Sequence, residues 1–215
     1  MISLTLDNRL ASIVKEINCN SLADIGCDHG KVAIAALLEN RARHVIASDI
    51  SINSLNKVKE LSLKYGISDH IDFICGNGLV ALPILPDCAV IAGLGAHTII
   101  NILTTPRLPM NLILSPNSCA KALREFLNKS KWHIKKDYIV ESHRRFYTII
   151  LVDTTLSGIP YSHEELIWGK NDPSSNEFVL YLEHELMKIE KFSKKTTSAL
   201  ERASTAKKLL KKYKC

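Results

Sequence analysis

The chain has 215 residues, 46% hydrophobic and 23% charged, with a formal net charge of +6, which is ample apolar material for one large domain or a medium domain with an appendage. No apolar run reaches the roughly 18 residues of a membrane-spanning helix, and the opening MISLTLDNRL lacks the basic-then-apolar order of a signal peptide, so the expectation is a soluble cytoplasmic protein. Six cysteines lie scattered with no C-x-x-C, which suits reduced thiols packed as small hydrophobes and argues against zinc.

In chain order, residues 4–17 carry apolar side chains at 6, 10, 13, 14 and 17 behind a candidate N-cap at Asp7. That is the spacing of a short amphipathic helix, placed over the sheet edge. An apolar strand over residues 21–25 leads through residues 26–30 into the helical run KVAIAALL from Lys31. A second strand over 44–50 closes on Asp49, a helix over 51–65 stops at Gly66, and a third strand over 71–75 meets Gly76-Asn77-Gly78. The wholly apolar CAVIA, residues 88–92, reads as a central parallel strand. It enters a second glycine turn, Gly93-Leu94-Gly95-Ala96-His97, with a helix over about residues 98–103. A fifth strand over 110–114 ends at Ser115-Pro116-Asn117, and a helix returns over 119–130 with Leu123, Phe126 and Leu127 on one face. Strands over 133–142 and 145–153, joined tightly near His143 and Arg144, are expected to pair antiparallel at the edge of the sheet.

These elements describe an α/β, doubly wound domain over residues 1–153, with a seven-stranded mixed sheet whose last two strands form an antiparallel hairpin. Residues 154–173, with Gly158 and Pro160, read as a linker. Over residues 174–215 apolar side chains recur at Phe178, Leu182, Leu186, Ile189, Leu200, Ala203, Ala206 and Leu210. One long helix, or a helical hairpin turning around residues 193–197, fits that spacing. Residues 170–215 hold 11 Lys/Arg against 6 Asp/Glu, whereas residues 1–169 hold 17 against 16. A basic tail of this kind fits a polyanionic partner and fits equally a solvated, lysine-rich helix face.

Residues 22–30, LADIGCDHG, hold the densest chemistry. Loops beyond the carboxyl ends of parallel strands line the ligand crevice, and glycine lets the backbone come close to what binds there. Asp49, 23 residues after Gly26, is placed to take both hydroxyls of a ribose. The loop departs from G-x-G-x-x-G: the glycine after Gly26 is Gly30, and Asp24 and Asp28 stand where a pyrophosphate would lie. Carboxylates repel a pyrophosphate and suit an ammonium or sulfonium group, which favours S-adenosylmethionine over a nicotinamide cofactor. Helix capping is the competing role for Asp24, Asp28 and His29.

The series ADIGCDHGKVAIAALL, ASDIS, CGNGL, IAGLGAHTIINIL, LILSPNSCAKALREFL and FYTIILVD resembles, in order over residues 8–153, the bacterial TrmK family of tRNA methyltransferases acting on N1 of adenine 22. The resemblance implies a Rossmann-like class I S-adenosylmethionine-dependent methyltransferase domain, followed by an α-helical, coiled-coil-like tRNA-binding domain. It also implies a donor site at Asp24, Gly26, Asp28, His29, Gly30, Asp49, Gly76, Asn77, Gly78 and Gly93. Pro116, Asn117 and Tyr147 match the family's proline-asparagine pair and late tyrosine, and with Gly95, His97 and Arg145 they form the expected substrate side. Lys194, Lys195, Lys207 and Lys208 of the basic tail are the candidates for tRNA phosphates. Two positions depart from the family pattern. Asn77 stands where aspartate is usual, although an amide oxygen still accepts from an exocyclic amine. Ala96 falls in a turn that usually reads G-M-G-G, and its methyl is expected to narrow the base pocket.

N1 of adenine has its own lone pair, so attack on a sulfonium methyl needs positioning and tolerance of the developing positive charge more than a base. Asn117 is the candidate to orient the adenine and Asp28 the candidate to stabilise the cation. Whether Asp28 and His29 face donor, adenine or both stays open, as does a core role for Tyr147. No metal is expected, since H-E-x-x-H and clustered His/Cys patterns are missing from the chain. The target base must leave its stack before N1 is reachable, at a cost of a few kcal/mol that binding across the RNA offsets. The expected assembly is a monomer on tRNA. Two rivals share the fold: a methyltransferase acting on a small molecule or protein, and a non-catalytic nucleic-acid-binding module.

Overall fold

The computed structural model describes residues 4–172, 175–191, 194 and 196–213. Its regular elements are α1 (Asn8–Glu16), β1 (Ser21–Ile25), α2 (Lys31–Leu38), β2 (His44–Asp49), α3 (Ile52–Tyr65), β3 (Ile71–Cys75), β4 (Cys88–Ala92), α4 (Ala96–Leu103), β5 (Asn111–Ser115), α5 (Ala120–Ser130), β6 (Trp132–Ser142), β7 (Arg145–Ser157), α6 (His163–Trp168), α7 (Asn176–Glu190) and α8 (Thr197–Tyr213). The strands form one seven-stranded sheet in the order β3-β2-β1-β4-β5-β7-β6. Pairing is parallel from β3 through β5 and antiparallel between β5 and β7 and between β7 and β6. Strand order reverses between β1 and β4, and a crevice opens at such a switch point beyond the strands' carboxyl ends.

The period-two alternation of the strands builds a core on each face of the sheet. Leu22, Val45 and Val90 face one way, onto Ile13, Val14, Val32 and Val58 of α1 to α3. Ala23, Ile25 and Ile91 face the other way, onto Ile99, Leu103, Leu123 and Leu127 of α4 and α5. Caps set the helix ends. Asp7 accepts the Leu10 amide at 2.9 Å, so it caps α1 as expected, and the helix occupies Asn8–Glu16 of the 4–17 stretch. Ser51 caps α3, and Gly66, left-handed at φ 68°, ends it. An extended Gly95 lets α4 begin at Ala96, two residues early.

Two segments differ from the sequence expectation. β7 runs on to Ser157, which pairs with Trp132 at the start of β6 across an irregularity in the register; the threonines read as polar linker have β-branched side chains that suit a strand. Within the expected linker, Ser162 and Glu165 form a capping box that starts α6. The C-terminal residues form two helices, α7 and α8. Phe178, Leu182, Ala206 and Leu209 of these helices enclose a third, small core with Ile167, Trp168 and Ile139 of β6. The expected start of this region at residue 174, and residues 193 and 195 of its turn, lie outside the described residues. Among the described residues no helix is long and apolar enough to cross a membrane.

One buried ion pair joins α5, β6 and α6. The Arg124 Nε donates to Asp137 Oδ2 at 2.7 Å, its Nη2 to Oδ1 at 3.0 Å, and its Nη1 to the Ile167 carbonyl at 3.1 Å. Tyr161 donates its hydroxyl to the same Asp137 oxygen at 2.9 Å. A bidentate pair backed by a further hydrogen bond to each partner is the geometry that a buried charge needs.

Candidate active site

The loops after β1 and β2 are tied to each other. Gly26 and Cys27 donate their amides to the Ser48 carbonyl at 2.8 and 3.2 Å. Asp28 sits left-handed at φ 47°, and its amide reaches Asp49 Oδ2 at 3.1 Å, while Asp49 Oδ1 accepts the Ser51 amide at 2.8 Å. A carboxylate has about four lone-pair sites, so Asp49 shapes both loops and still has capacity for hydroxyl donors. Gly30, at φ 65°, lies so close to α3 that a Cβ there would meet Val58 Cγ1 at 2.4 Å; any side chain would push α3 away.

Asp24 forms the floor. It is 5% exposed, and its Oδ2 accepts the Ala33 amide at 3.2 Å. Burial pushes its carboxyl up to about 7; the Ala33 amide opposes that shift, and the charge of Asp49 adds to it. A half-protonated, buried carboxyl gains most from a cationic ligand.

On the other side of the switch point, the loops after β4 and β5 are stitched together. The Gly93 amide donates to the Ser115 carbonyl at 3.1 Å and the Asn117 amide to the Leu94 carbonyl at 2.8 Å. The side chain of Asn117 then donates through Nδ2 to the Gly93 carbonyl at 2.6 Å, which fixes the amide plane. Its Oδ1 accepts from Arg9 Nη1 at 3.3 Å. The Arg9 guanidinium lies over the Tyr147 ring, 4.9 Å from its centre.

These loops enclose a cleft of about 640 Å³. Of the residues expected at the site, Asp24, Gly26, Asp28, His29, Asp49, Gly76, Asn77, Gly78, Gly93 and Asn117 line it. Asp28 and His29 stand at its rim, with side chains 71% and 58% exposed and 3.7 Å apart. Gly30, Gly95, His97, Pro116, Tyr147 and Arg145 do not line the cleft: Gly30 and Pro116 are buried, His97 and Arg145 are exposed, and Tyr147 lies beneath Arg9. Ala96 is fully buried in the core under α4, so its methyl does not narrow the cleft as expected. Of the four tail lysines, Lys207 lies 3.8 Å from Glu190 and Lys208 pairs with Glu164. Lys194 is exposed, and Lys195 lies outside the described residues.

Sequence reasoning missed Arg9, along with Leu10, Ile50, Thr98 and Ile102, in the lining. Arg9 reaches its partner Asn117 across 108 residues, and no local motif marks it. The donor set suits a ligand with a cationic head and a nucleoside body: three carboxylates at the β1 and β2 ends, glycines that admit the ligand, and an amide across the switch point.

Comparison with known proteins places the chain among methyltransferases. The family model described as Methyltransferase domain matches residues 6–150. A Mycoplasma pneumoniae relative, named as a tRNA methyltransferase, is 34% identical over 167 residues, covering 74% of this chain and 76% of its own. The tRNA (adenine(22)-N(1))-methyltransferase of Bacillus subtilis is 30% identical over 159 residues, covering 71% and 67%. The structure of M. capricolum TrmK with S-adenosyl-homocysteine superposes with a TM-score of 0.81 at 26% identity, covering 97% of this chain and 98% of that one.

Proposed function

From the premise that the chain belongs to the methyltransferase-domain family and, within it, to the TrmK tRNA methyltransferases, we propose that it transfers a methyl group from S-adenosylmethionine to N1 of adenine 22 in tRNA. The observation that carries this reading is the two-sided cleft: the carboxylates of Asp24 and Asp49 at the ends of β1 and β2, and the fixed amide of Asn117 across the switch point. When bound, the donor supplies an electrophilic methyl on a positively charged sulfur.

Each residue then has a distinct task. Asp24 offers its buried carboxylate to the donor's ammonium, and gives up its proton in doing so. Asp49 offers its remaining lone pairs to ribose hydroxyls. Asn77 lines the adenine end of the donor site with Gly76 and Gly78. Asn117, held by Gly93, presents Oδ1 to the N6 amine of the target adenine, which aims N1 along the methyl's line of transfer. Asp28, at the rim, offsets the positive charge that arrives on the base. The C-terminal helices grip tRNA phosphates, with Lys194 and the paired Lys207 and Lys208 as contacts, so recognition depends on the shape of the folded RNA and on salt.

Incubation with methyl-labelled donor and bulk tRNA, followed by digestion to nucleosides, tests the reading. Label in N1-methyladenosine is the expected result. Label in protein or in a small molecule, or tRNA binding without transfer, would favour the rival functions.

A further inference from the structure

The cleft separates its charges. Asp24, Asp28 and Asp49 belong to the β1 and β2 ends, whereas Arg9 meets Asn117 at the end of β5. Strands in a sheet lie about 4.8 Å apart, so with the order β2-β1-β4-β5 the β5 end stands about 10 Å from the β1 end, which carries Asp24 and Asp28, and about 14 Å from the β2 end, which carries Asp49. The acidic end matches a cationic donor. Beside the target base a cation is out of place, because positive charge develops there during transfer and a guanidinium opposes it. The charge of Arg9 therefore serves an anion. The donor's carboxylate and the phosphodiester of an extruded nucleotide are the two on hand, and a guanidinium bonded to Asn117 at the β5 end, away from the acidic end that takes the donor's ammonium, meets the phosphodiester.

The local structure is built to hold such a group. The first turn of α1 is fixed to the sheet by Asn8 Nδ2, which donates to the Glu141 carbonyl at 2.6 Å. Its last turn is fixed by Glu16, which takes Lys136 at 2.9 Å and the Tyr138 hydroxyl at 3.0 Å. Tyr147 supports the guanidinium from one face. A guanidinium has five N–H donors in a fork that matches phosphate, and the bond to Asn117 uses one of them.

Resting on the tRNA-methyltransferase reading, we propose that Arg9 binds the phosphodiester of the extruded target nucleotide and thereby seats its base against Asn117. This makes α1, which precedes the first strand, a substrate-binding element, and it gives Tyr147 the task of backing Arg9 in place of stacking on the base.

The test measures tRNA binding by the full-length protein as a function of salt, for wild type, Arg9→Gln and Arg9→Lys, beside donor affinity for each. Loss of one phosphate contact lowers the slope of log K against log salt by about 0.7–0.9 and weakens binding about tenfold. Arg9→Gln is expected to show both effects with unchanged donor affinity, and Arg9→Lys to keep the wild-type slope. An unchanged slope in Arg9→Gln, equal losses in both variants, or a loss of donor affinity would overturn the assignment. Because binding is read without turnover, the result stands apart from the methylation assay. Wild type that binds donor and tRNA yet forms no N1-methyladenosine contradicts the function and leaves the Arg9 measurement to be judged on its slope.

Discussion

Asp49 holds the backbone amide of Asp28 through Oδ2 at 3.1 Å, so the acidic residue at the end of β2 shapes the loop that follows β1. Its other oxygen caps the Ser51 amide at 2.8 Å. Asp49→Asn keeps one acceptor oxygen and must abandon one of these bonds, and Asp49→Ala loses both. Donor affinity is expected to fall about tenfold in the first and about a hundredfold in the second, following roughly 1.4 kcal/mol per tenfold step. Titration calorimetry with S-adenosylmethionine measures this; equal affinities would mean that Asp49 organises nothing at the donor site.

Asp24, as the proposed partner of the donor's ammonium, should give donor binding a pH dependence. With its carboxyl at about 7, about nine-tenths of the protein is protonated at that residue at pH 6, and donor affinity should rise about tenfold from pH 6 to pH 8. Asp24→Asn should flatten the profile and bind donor weakly throughout.

The same residue opposes stability. Its folded-state value lies above the ordinary carboxylate value of 3.8, so its contribution is fully present below about pH 4 and is lost as pH rises through about 7. Asp24→Asn, which keeps an oxygen for the Ala33 amide, should therefore be more stable than the wild type at pH 8, by on the order of 4 kcal/mol at most, and about equally stable at pH 4. A variant less stable at pH 8 would show that the charged form is well solvated.

The Arg124–Asp137 pair is 2% and 0% exposed, and breaking one partner of such a pair costs about 3–5 kcal/mol. Asp137→Ala should show that loss in urea unfolding. It should also loosen α6, because Arg124 holds the Ile167 carbonyl and Asp137 holds the Tyr161 hydroxyl.

Deleting residues 174–215 would strip Phe178, Leu182, Ala206 and Leu209 from the small core over Ile139, so charge substitution is the cleaner test of the tail. Replacing Lys194, Lys207 and Lys208 with glutamine should weaken tRNA binding and reduce its salt slope, with donor affinity unchanged. An unchanged slope would remove all three from the tRNA contact and leave Lys207 and Lys208 to their ion pairs with Glu190 and Glu164.

The order of elements was legible because buried parallel strands are largely apolar and some helices carry explicit caps: the ends of β1, α2 and β4 fall where the runs SLADI, KVAIAALL and CAVIA stop, and Asp7 and Ser51 mark the starts of α1 and α3. The acidic half of the cleft was legible for a related reason, since its lining lies on short loops at strand ends. Less legible were features set across long sequence distances. β7 reaches Ser157 because β6 pairs with it, and polar composition alone hides that. The Ser162 and Glu165 capping box was a readable signal for α6 that the glycine and proline nearby outweighed. Arg9 depends on partners brought near only by the folded sheet, and the pairing of the tail lysines depends on how α7 and α8 meet α6.

The most direct test of the account uses two tRNA transcripts that differ only at position 22, adenine in one and guanine in the other, each incubated with the protein and methyl-labelled S-adenosylmethionine and digested to nucleosides. The account predicts label in N1-methyladenosine from the adenine transcript and none from the guanine transcript. Equal labelling of the two, or no labelling of either by protein that binds the donor, would contradict it.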